Sequence, residues 1–405
     1  MKGLTAASGG LVEACIAPAP GPRQLSQVPM RSHPSLRFVP LSLLAAAATA
    51  CDEGSSCEDP VVFSVLPVDL ASVPFVTPIG SLGPPGHTLP TDHVGFYLNG
   101  TGITLRSPSD MIIRGVGRTT YLASPFRQGQ SDYSVTGVLC QDQELIIGHI
   151  QTVVSAIDAA VSTSDCETYS TADETVQTCR SEAHITLTAG ATIGTVGGPS
   201  AGAFDWGLHD PRHTNFFVNP DRYAPPVLDA VCPYDPFIAP LNEQLYDLIG
   251  DGLRTASGES PQCGSMSVDV AGTASGAWVL QTNPVMQTGD ESKFAVLAPH
   301  PLFPQSKQAF SLGPASLLAT SGIGNDTYPL QTSGRVNRRF SDVTADGLLY
   351  CYVYDASVAA WSYFVRLAAG PVLTIQKVTH GAGATPCGAD PSTWSFSGAA
   401  LAFIR

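Results

Sequence analysis

The sequence predicts a mainly β protein, and three observations support this fold class. Apolar runs are short and are separated by glycine, proline, asparagine and aspartate, a pattern typical of strands joined by turns. The 405 residues include 39 glycines and 33 prolines, and only 13% are charged, about half the usual ~25%. Helical periodicity is clear in one stretch, near residues 238–250, where Leu241, Leu245 and Leu248 recur at helical spacing.

Two β-rich regions are expected, at residues 61–225 and 260–405, joined by a connecting helix and linker at 226–259. The predicted strands of the first region are 61–68, 94–98, 111–116, 145–154 and 184–196, and those of the second are 276–280, 348–354, 361–367 and 372–377. Two segments of the first region, 103–116 and 185–196, read similarly as an apolar strand, a small-residue turn and a second apolar strand. This internal echo predicts a sandwich built from paired repeats.

The N-terminal fifty residues read as an export signal. Arg31, His33 and Arg37 precede a thirteen-residue apolar stretch that ends in small residues before Cys51. This pattern resembles a bacterial lipobox, which predicts a signal peptide at 30–50, lipidation of Cys51 and a tether at 51–60. The alternative is an ordinary signal peptide beside a chance cysteine. Residues 1–29 are expected to be a non-coding or mis-annotated extension, with Met30 as the true start.

The N-terminal signal predicts a protein that is exported and lipid-anchored to the bacterial cell envelope, either in the periplasm or on the outer surface. The membrane is then a partner through the lipid on Cys51. The cysteines agree with export. Eight remain besides Cys15 and Cys51, an even number without C-x-x-C pairs, which indicates up to four disulfides. Cys166 with Cys179 is the pair we expect first, because both lie in one polar insertion.

The charge of the chain excludes one class of partner. The formal net charge is −14, whereas a protein that binds nucleic acid needs a basic footprint for the phosphates. We therefore expect no nucleic acid partner.

Candidate site residues lie on three predicted strands. The string GPPGHTLPTDHVGFYL places His87, Asp92 and His93 within seven residues, and alternation along a strand puts His93, Gly95 and Tyr97 on one face. The other two strings are ELIIGHI, which carries His149, and FDWGLHD, in which Asp205, Gly207 and His209 share a face.

These strings resemble the lysostaphin-like zinc peptidases, which cut peptidoglycan cross-links and have a duplicated-hybrid-motif β-sandwich. TAGATIGTVGG at 188–198 is similar to the family's xAGxxIGxVGxTG segment, and GHI around His149 resembles its YxHL segment. The segment 103–116 is similar to its V-x-A-P-x-D-G-x-V hairpin. The resemblance covers roughly residues 75–210 and implies this fold for the first region, followed by a helix and a second β-rich domain.

The ligand motifs depart from the family, which holds zinc through H-x-x-x-D and the second histidine of H-x-H. His93 matches the first histidine, but the aspartate position falls on Tyr97. The H-x-H string falls on Ala203 to Asp205, so Asp205 replaces a ligand histidine and Ala203 a catalytic one. His149 keeps the catalytic histidine of the YxHL segment.

A catalytic zinc needs three protein ligands and an open position for water, and a tyrosine is a poor ligand because its pKa is ~10. The resemblance therefore implies zinc held by His93, Asp205 and His87, with Asp92 as the alternative to His87 and with His149 as proton shuttle or oxyanion stabiliser. Asp92 and Tyr97 are expected to contribute to binding. The alternative is that no metal binds and that the histidines are hydrogen-bonded polar residues in the floor of a cleft.

Three functions follow. The leading interpretation is an envelope lipoprotein whose peptidase-like domain is degenerate and acts as a binding or regulatory module for peptidoglycan or a cell-wall peptide. The second is an active zinc-dependent endopeptidase of cell-wall peptides. The third is a structural or adhesive surface lipoprotein in which the C-terminal domain is the working part. Whether the chain is an enzyme stays open at this point.

Overall fold

The computed structural model describes residues 61–84, 86–170, 174–198, 201–284, 291–317, 326–353, 361–380, 387–388 and 390–405. All of them belong to one compact unit, Gly54–Arg405. The predicted extension 1–29, signal 30–50, Cys51 and tether 51–60 lie outside the described residues. The predicted boundary between the two β-rich regions falls inside this unit.

The fold is mainly β, as predicted, with 42% strand and 11% helix. Hydrogen-bonded neighbours in the named strands all run antiparallel. The described strands are β1 Phe75–Val76, β2 Val94–Tyr97, β3 Ile103–Arg106, β4 Met111–Ala123, β5 Ser131–Val138, β6 Glu144–Ile150, β7 Thr152–Val153, β8 Cys166–Ser170, β9 Thr175–Leu187, β10 Thr192–Val196, β11 Ala203–His209, β12 Ala230–Val231, β13 Gly276–Leu280, β14 Phe294–Pro299, β15 Lys307–Leu312, β16 Asp326–Pro329, β17 Tyr350–Val353, β18 Trp361–Ala368, β19 Val372–Thr379 and β20 Leu401–Ile404.

The strands form three sheets. The first has the order β1-β2-β11-β6-β5-β4-β9-β8, with β12 paired to β11. The second, β3-β10-β7, is small, and the third has the order β16-β15-β14-β13-β20-β19-β18-β17. The predicted strand at 61–68 is wrong: this segment contributes only an isolated bridge from Phe63 to Phe237, although Phe63 is fully buried. An apolar run can be buried as irregular chain when its backbone groups find partners elsewhere.

The two echoing segments pair with each other rather than folding back as hairpins. β3 pairs with β10 in the small sheet, while β4 pairs with β9 in the first sheet. Each segment therefore leaves one sheet and enters the other at its small-residue turn. This cross-pairing is the feature of the fold closest to the predicted paired repeats.

The third sheet shares a core with the first. Along β14, Val296 and Ala298 belong to the cluster that contains Trp206, whereas Ala295 and Leu297 belong to a second cluster on the opposite face. A strand buried on both faces reads as a continuous apolar run, as FAVLA does here. The C-terminal sheet is thus a covering layer over the first region.

The described residues include three short α-helices: α1 Ser155–Asp158, α2 Pro225–Asp229 and α3 Leu241–Leu248. The predicted connecting helix near 238–250 is confirmed as α3, which buries Leu245 in the shared core. None of the helices in the described part of the chain has the length and apolar character needed to cross a bilayer.

Three disulfides join described cysteines. The predicted Cys166–Cys179 pair is confirmed and links β8 to β9 at directly paired positions. The others are Cys232–Cys263 and Cys351–Cys387, and Cys140 is also disulfide-bonded. Structural disulfides form and persist in oxidising compartments.

Candidate functional site

Asp205 lies at the centre of the candidate site because of strand alternation in β11. Its neighbours Phe204 and Trp206 are fully buried in the core, so Asp205 faces the opposite side of the sheet. The residues paired with it on the adjacent strands are Gly95 on β2 and Gly148 on β6. A Cβ on Gly148 would lie 2.8 Å from the Asp205 Oδ2 atom. The missing side chain therefore leaves room for the carboxylate and for the imidazoles that approach it.

His93 approaches Asp205 from the residue just before β2. Its Nε2 lies 3.7 Å from Asp205 Oδ1, and its Nδ1 donates a hydrogen bond of 2.8 Å to Asp92 Oδ1. Burial alone would lower the pKa of His93, but the carboxylates of Asp205 and Asp92 outweigh it and raise this pKa to about 9. The same contacts hold the pKa of both carboxyl groups below their usual value against the effect of burial. At neutral pH the site therefore contains an imidazolium between two carboxylates.

His149 reaches Asp205 from the other side through an irregularity in β6. Strict alternation after Leu145 and Ile147 would point this side chain into the core. Instead, the register with β5 shifts at this point, His149 adopts a left-handed φ of 56°, and Ile150 takes the buried position. Such a bulge re-aims a side chain, and a left-handed backbone in a residue other than glycine is strained and clusters at functional sites.

Both ring nitrogens of His149 face carboxylates. Nε2 lies 3.5 Å from Asp205 Oδ2, and Nδ1 donates to Asp132 Oδ2 at 2.7 Å. Burial would lower the pKa of His149, but Asp205 and Asp132 raise it. Asp132 is 4% exposed and also accepts a 2.9 Å hydrogen bond from the Tyr121 hydroxyl. The result is a continuous chain of paired groups that runs from Asp92 through His93, Asp205 and His149 to Asp132.

An outer group of residues supports this chain. The guanidinium of Arg127 lies 4.0 Å from the centre of the Tyr121 ring and forms a two-pronged ion pair with Glu174. Tyr121 is thereby covered on its ring face while its hydroxyl holds Asp132. The support fixes the orientation of His149, as partners of an imidazole Nδ1 commonly do.

A cavity of about 540 Å³ opens in front of Asp205 and His93. One side is aromatic, because Phe75 and Tyr97 stack with ring centres 4.2 Å apart, and Tyr97 is 41% exposed. His87 lies at the rim, with its ring centre 5.7 Å from that of His93. A concave site with an apolar wall and a few convergent polar groups is typical of ligand pockets.

The C-terminal region completes the cavity. His300 and Leu302, which follow β14, also line the cavity. Glu291, just before β14, accepts a 2.5 Å hydrogen bond from the backbone N–H of Leu89 in the segment that carries His87. Its charge also favours protonation of His93. The site therefore depends on both β-rich regions.

The three expected zinc ligands, His87, His93 and Asp205, all line the cavity. The two oxygens of Asp205 face His93 and His149, whereas His87 contacts His93 through its ring rather than joining a shared set of donors. Across the residues that the structure describes, no group of three or more His, Cys, Asp or Glu side chains is placed to hold a metal ion. Zinc binding by His93, Asp205 and His87, or by Asp92 in place of His87, stays a prediction.

Most of the residues proposed from the sequence converge at this place. His87, His93 and Tyr97 line the cavity with Asp205, and His149 contacts Asp205 from behind. Asp92 contacts the site through His93 instead of lining the cavity. The sharing of one face by His93, Gly95 and Tyr97, expected from alternation, is confirmed by their common place in the cavity wall. Their chemical roles remain predictions.

Sequence reasoning missed Asp132, Tyr121 and His300. One signal in the sequence pointed to Asp132. It shares a polar face with Ser134 and Thr136 on a strand whose other face is apolar. No signal in the sequence pointed to His300, because it is distant along the chain from all of the site motifs. Comparison of the chain with protein-family models, with curated proteins and with solved structures finds no match.

Proposed function

We propose that this protein is an envelope lipoprotein whose cavity binds a cell-wall peptide without cleaving it. The observation that carries the proposal is the continuous chain of paired groups that reaches the cavity at His93 and Asp205. Asp205 faces both His93 and His149, and each of these histidines is held by a further carboxylate. Fixed charges at a cavity wall orient the polar groups of a ligand, and a carboxylate that already faces two imidazoles is poorly placed to accept a proton.

Two further observations support a binding role. Ala203 lines the cavity at the position where the resembling peptidases carry a catalytic histidine, so that proton-transfer group is replaced by a methyl. The aromatic wall of Phe75 and Tyr97 offers contact area beside a polar floor, which is how peptide- and ligand-binding pockets combine apolar contact with orientation. The cross-pairing of β3 with β10 and of β4 with β9 supports a duplicated-hybrid-motif origin of the first region.

Binding is tested by cosedimentation of the full-length protein with purified peptidoglycan sacculi. The variant Tyr97→Ala removes the exposed half of the aromatic wall and is expected to weaken binding about tenfold, the effect of losing ~1.4 kcal/mol of contact energy. The matched control is Leu253→Ala, at a side chain that is 92% exposed and lies outside the cavity wall. Failure of the wild-type protein to sediment with sacculi would reject the proposal.

A zinc endopeptidase is the second candidate, and one observation favours it. The Nδ1 atoms of His93 and His149 both bond to carboxylates, which is how metal-ligating histidines are held. Incubation of sacculi with the protein, with and without added zinc, separates the candidates by the release of free amino groups. Binding without release supports the binding module, and zinc-dependent release that disappears in His149→Ala supports the peptidase.

The envelope anchor is a separate part of the proposal. The three disulfides support an oxidising compartment, and the segment before Cys51 supports lipidation. Expressed in a bacterial host that processes lipoproteins, the wild-type chain is expected to enter the detergent phase on phase separation. Cys51→Ser is expected to remain in the aqueous phase, and equal partitioning of the two would reject the anchor.

A further inference from the structure

A second, smaller cavity lies directly behind one wall of the main cavity. It measures about 220 Å³ and shares Leu82, His300 and Pro301 with the main cavity. Its remaining wall is largely apolar, and no Asp, Glu, Lys or Arg lines it among the described residues. Apolar lining residues are Pro261, Val268, Ala298 and Pro304. The side cavity therefore differs in chemistry from the charged floor of the main one.

The walls of the side cavity are held rigidly. Ile79 and Gly264 form a bridge, with the Ile79 N–H donating to the Cys263 carbonyl at 2.8 Å, and Cys263 is fixed by its disulfide to Cys232. Gly264 has φ +93°, and a Cβ there would lie 2.1 Å from the Ile79 carbonyl oxygen. The backbones of the segments around Ile79 and Gly264 are therefore too close together for a side chain at position 264. A pre-formed cavity of this kind is able to select a ligand group by size.

His300 presents an uncharged N–H at the shared wall. Its Nδ1 accepts hydrogen bonds from the backbone N–H groups of Leu302 and Phe303, at 3.0 and 3.2 Å, so the ring proton is on Nε2. Burial and then the nearby charge of Lys307 lower the pKa of His300 to about 4, which keeps the ring neutral. The groups that face it besides Lys307 are Arg254 and Asp251. A neutral donor suits an amide carbonyl better than a charged group.

We propose that His300 and the side cavity form a specificity subsite for a small aliphatic side chain next to an amide carbonyl of the bound peptide. The aliphatic group enters the side cavity, and the carbonyl accepts a hydrogen bond from His300 Nε2. The proposal rests on the proposed function, since it assumes that the main cavity binds a peptide. It adds the selection of an alanine-like residue over glycine at one position.

The direct test is an NMR titration of the full-length protein with two blocked dipeptides, N-acetyl-Ala-Ala-amide and N-acetyl-Gly-Gly-amide. The alanyl probe is expected to shift the His300 Nε2 resonance and the methyl signals of Leu82 and Val268. The glycyl probe is expected to bind at least about tenfold more weakly. Equal shifts by both probes, or none at concentrations up to about 20 mM, well above a millimolar Kd, would overturn the subsite.

Two substitutions separate the roles of the two ring nitrogens. His300→Asn keeps an acceptor near the position of Nδ1 for the turn but withdraws the distant N–H, so the fold is expected to persist while alanyl-probe affinity falls about tenfold. His300→Gln offers an N–H near the position of Nε2 and is expected to retain most of the affinity. Wild-type affinity in His300→Asn, with unchanged unfolding, would overturn the role of the donor.

A third substitution fills the mouth of the side cavity. Ser265 is exposed there, and Ser265→Leu is expected to abolish the preference for the alanyl probe. The matched control is Ser341→Leu, at an exposed serine that lines neither cavity. Sacculus binding without any probe effect would reject the subsite alone. A probe effect without sacculus binding would reject the proposed function and leave the subsite standing.

Discussion

Replacing Asp205 by asparagine removes the one carboxylate that both His93 and His149 face, while the side-chain volume hardly changes. Deleting one partner of a buried ion pair costs about 3–5 kcal/mol. Here the side chains of Asp205 and His93 are 28% and 23% exposed, and water therefore screens part of the interaction. We expect Asp205→Asn to lower the free energy of unfolding by about 1–3 kcal/mol near pH 6.5.

The loss should depend on pH in a defined direction. Native His93 has its pKa raised from 6.5 to about 9, which corresponds to roughly 3 kcal/mol of added preference for the protonated form. Its contribution to stability is therefore complete below pH 6.5 and disappears as the pH rises through about 9. Wild-type stability should fall across this window. The curve for Asp205→Asn should be flatter, because the pKa of His93 then moves back toward 6.5.

The assay is urea unfolding of both proteins at several pH values between 6 and 10, combined with NMR titration of the histidine rings. Asp251→Asn is the matched control, since Asp251 also lines the cavity but is paired with Arg254. The control should keep the wild-type pH dependence. If Asp205→Asn left both the His93 pKa and the slope of stability unchanged, the chain of charges at the cavity floor would not be coupled as the distances indicate.

Three other perturbations have outcomes fixed by the geometry. Gly148→Ala places a methyl against the Asp205 carboxylate and should cost about 1–3 kcal/mol while lowering the pKa of His93, which NMR would detect. His149 has a left-handed backbone, so the variant His149→Gly should be more stable than His149→Ala by about 1 kcal/mol, the reverse of the order in a regular strand. Equal or greater stability of His149→Ala would contradict the bulge. Removing the disulfide between Cys232 and Cys263, which are 31 residues apart, should cost about 2–5 kcal/mol in thermal unfolding, and no loss would show that the link does not constrain the chain.

Local patterns in the sequence determined a large part of this protein. Alternation placed His93 with Tyr97 on one face of a strand and Asp205 opposite its buried neighbours Phe204 and Trp206, because successive side chains of a strand point to opposite sides. The same kind of local reading located α3 and the Cys166–Cys179 link. The mainly β class followed from the composition and from the glycine, proline, asparagine and aspartate residues that separate the short apolar runs.

Tertiary structure alone decided how these elements meet. The bulge that turns His149 toward Asp205 depends on its register with β5, and Asp132 accepts its hydrogen bond from Tyr121 on β4. His300 enters the cavity wall because the C-terminal sheet packs on the same core as the first sheet. Periodicity reports only a residue's neighbours along the chain, whereas register, bulges and sheet stacking are set by partners that are distant in sequence.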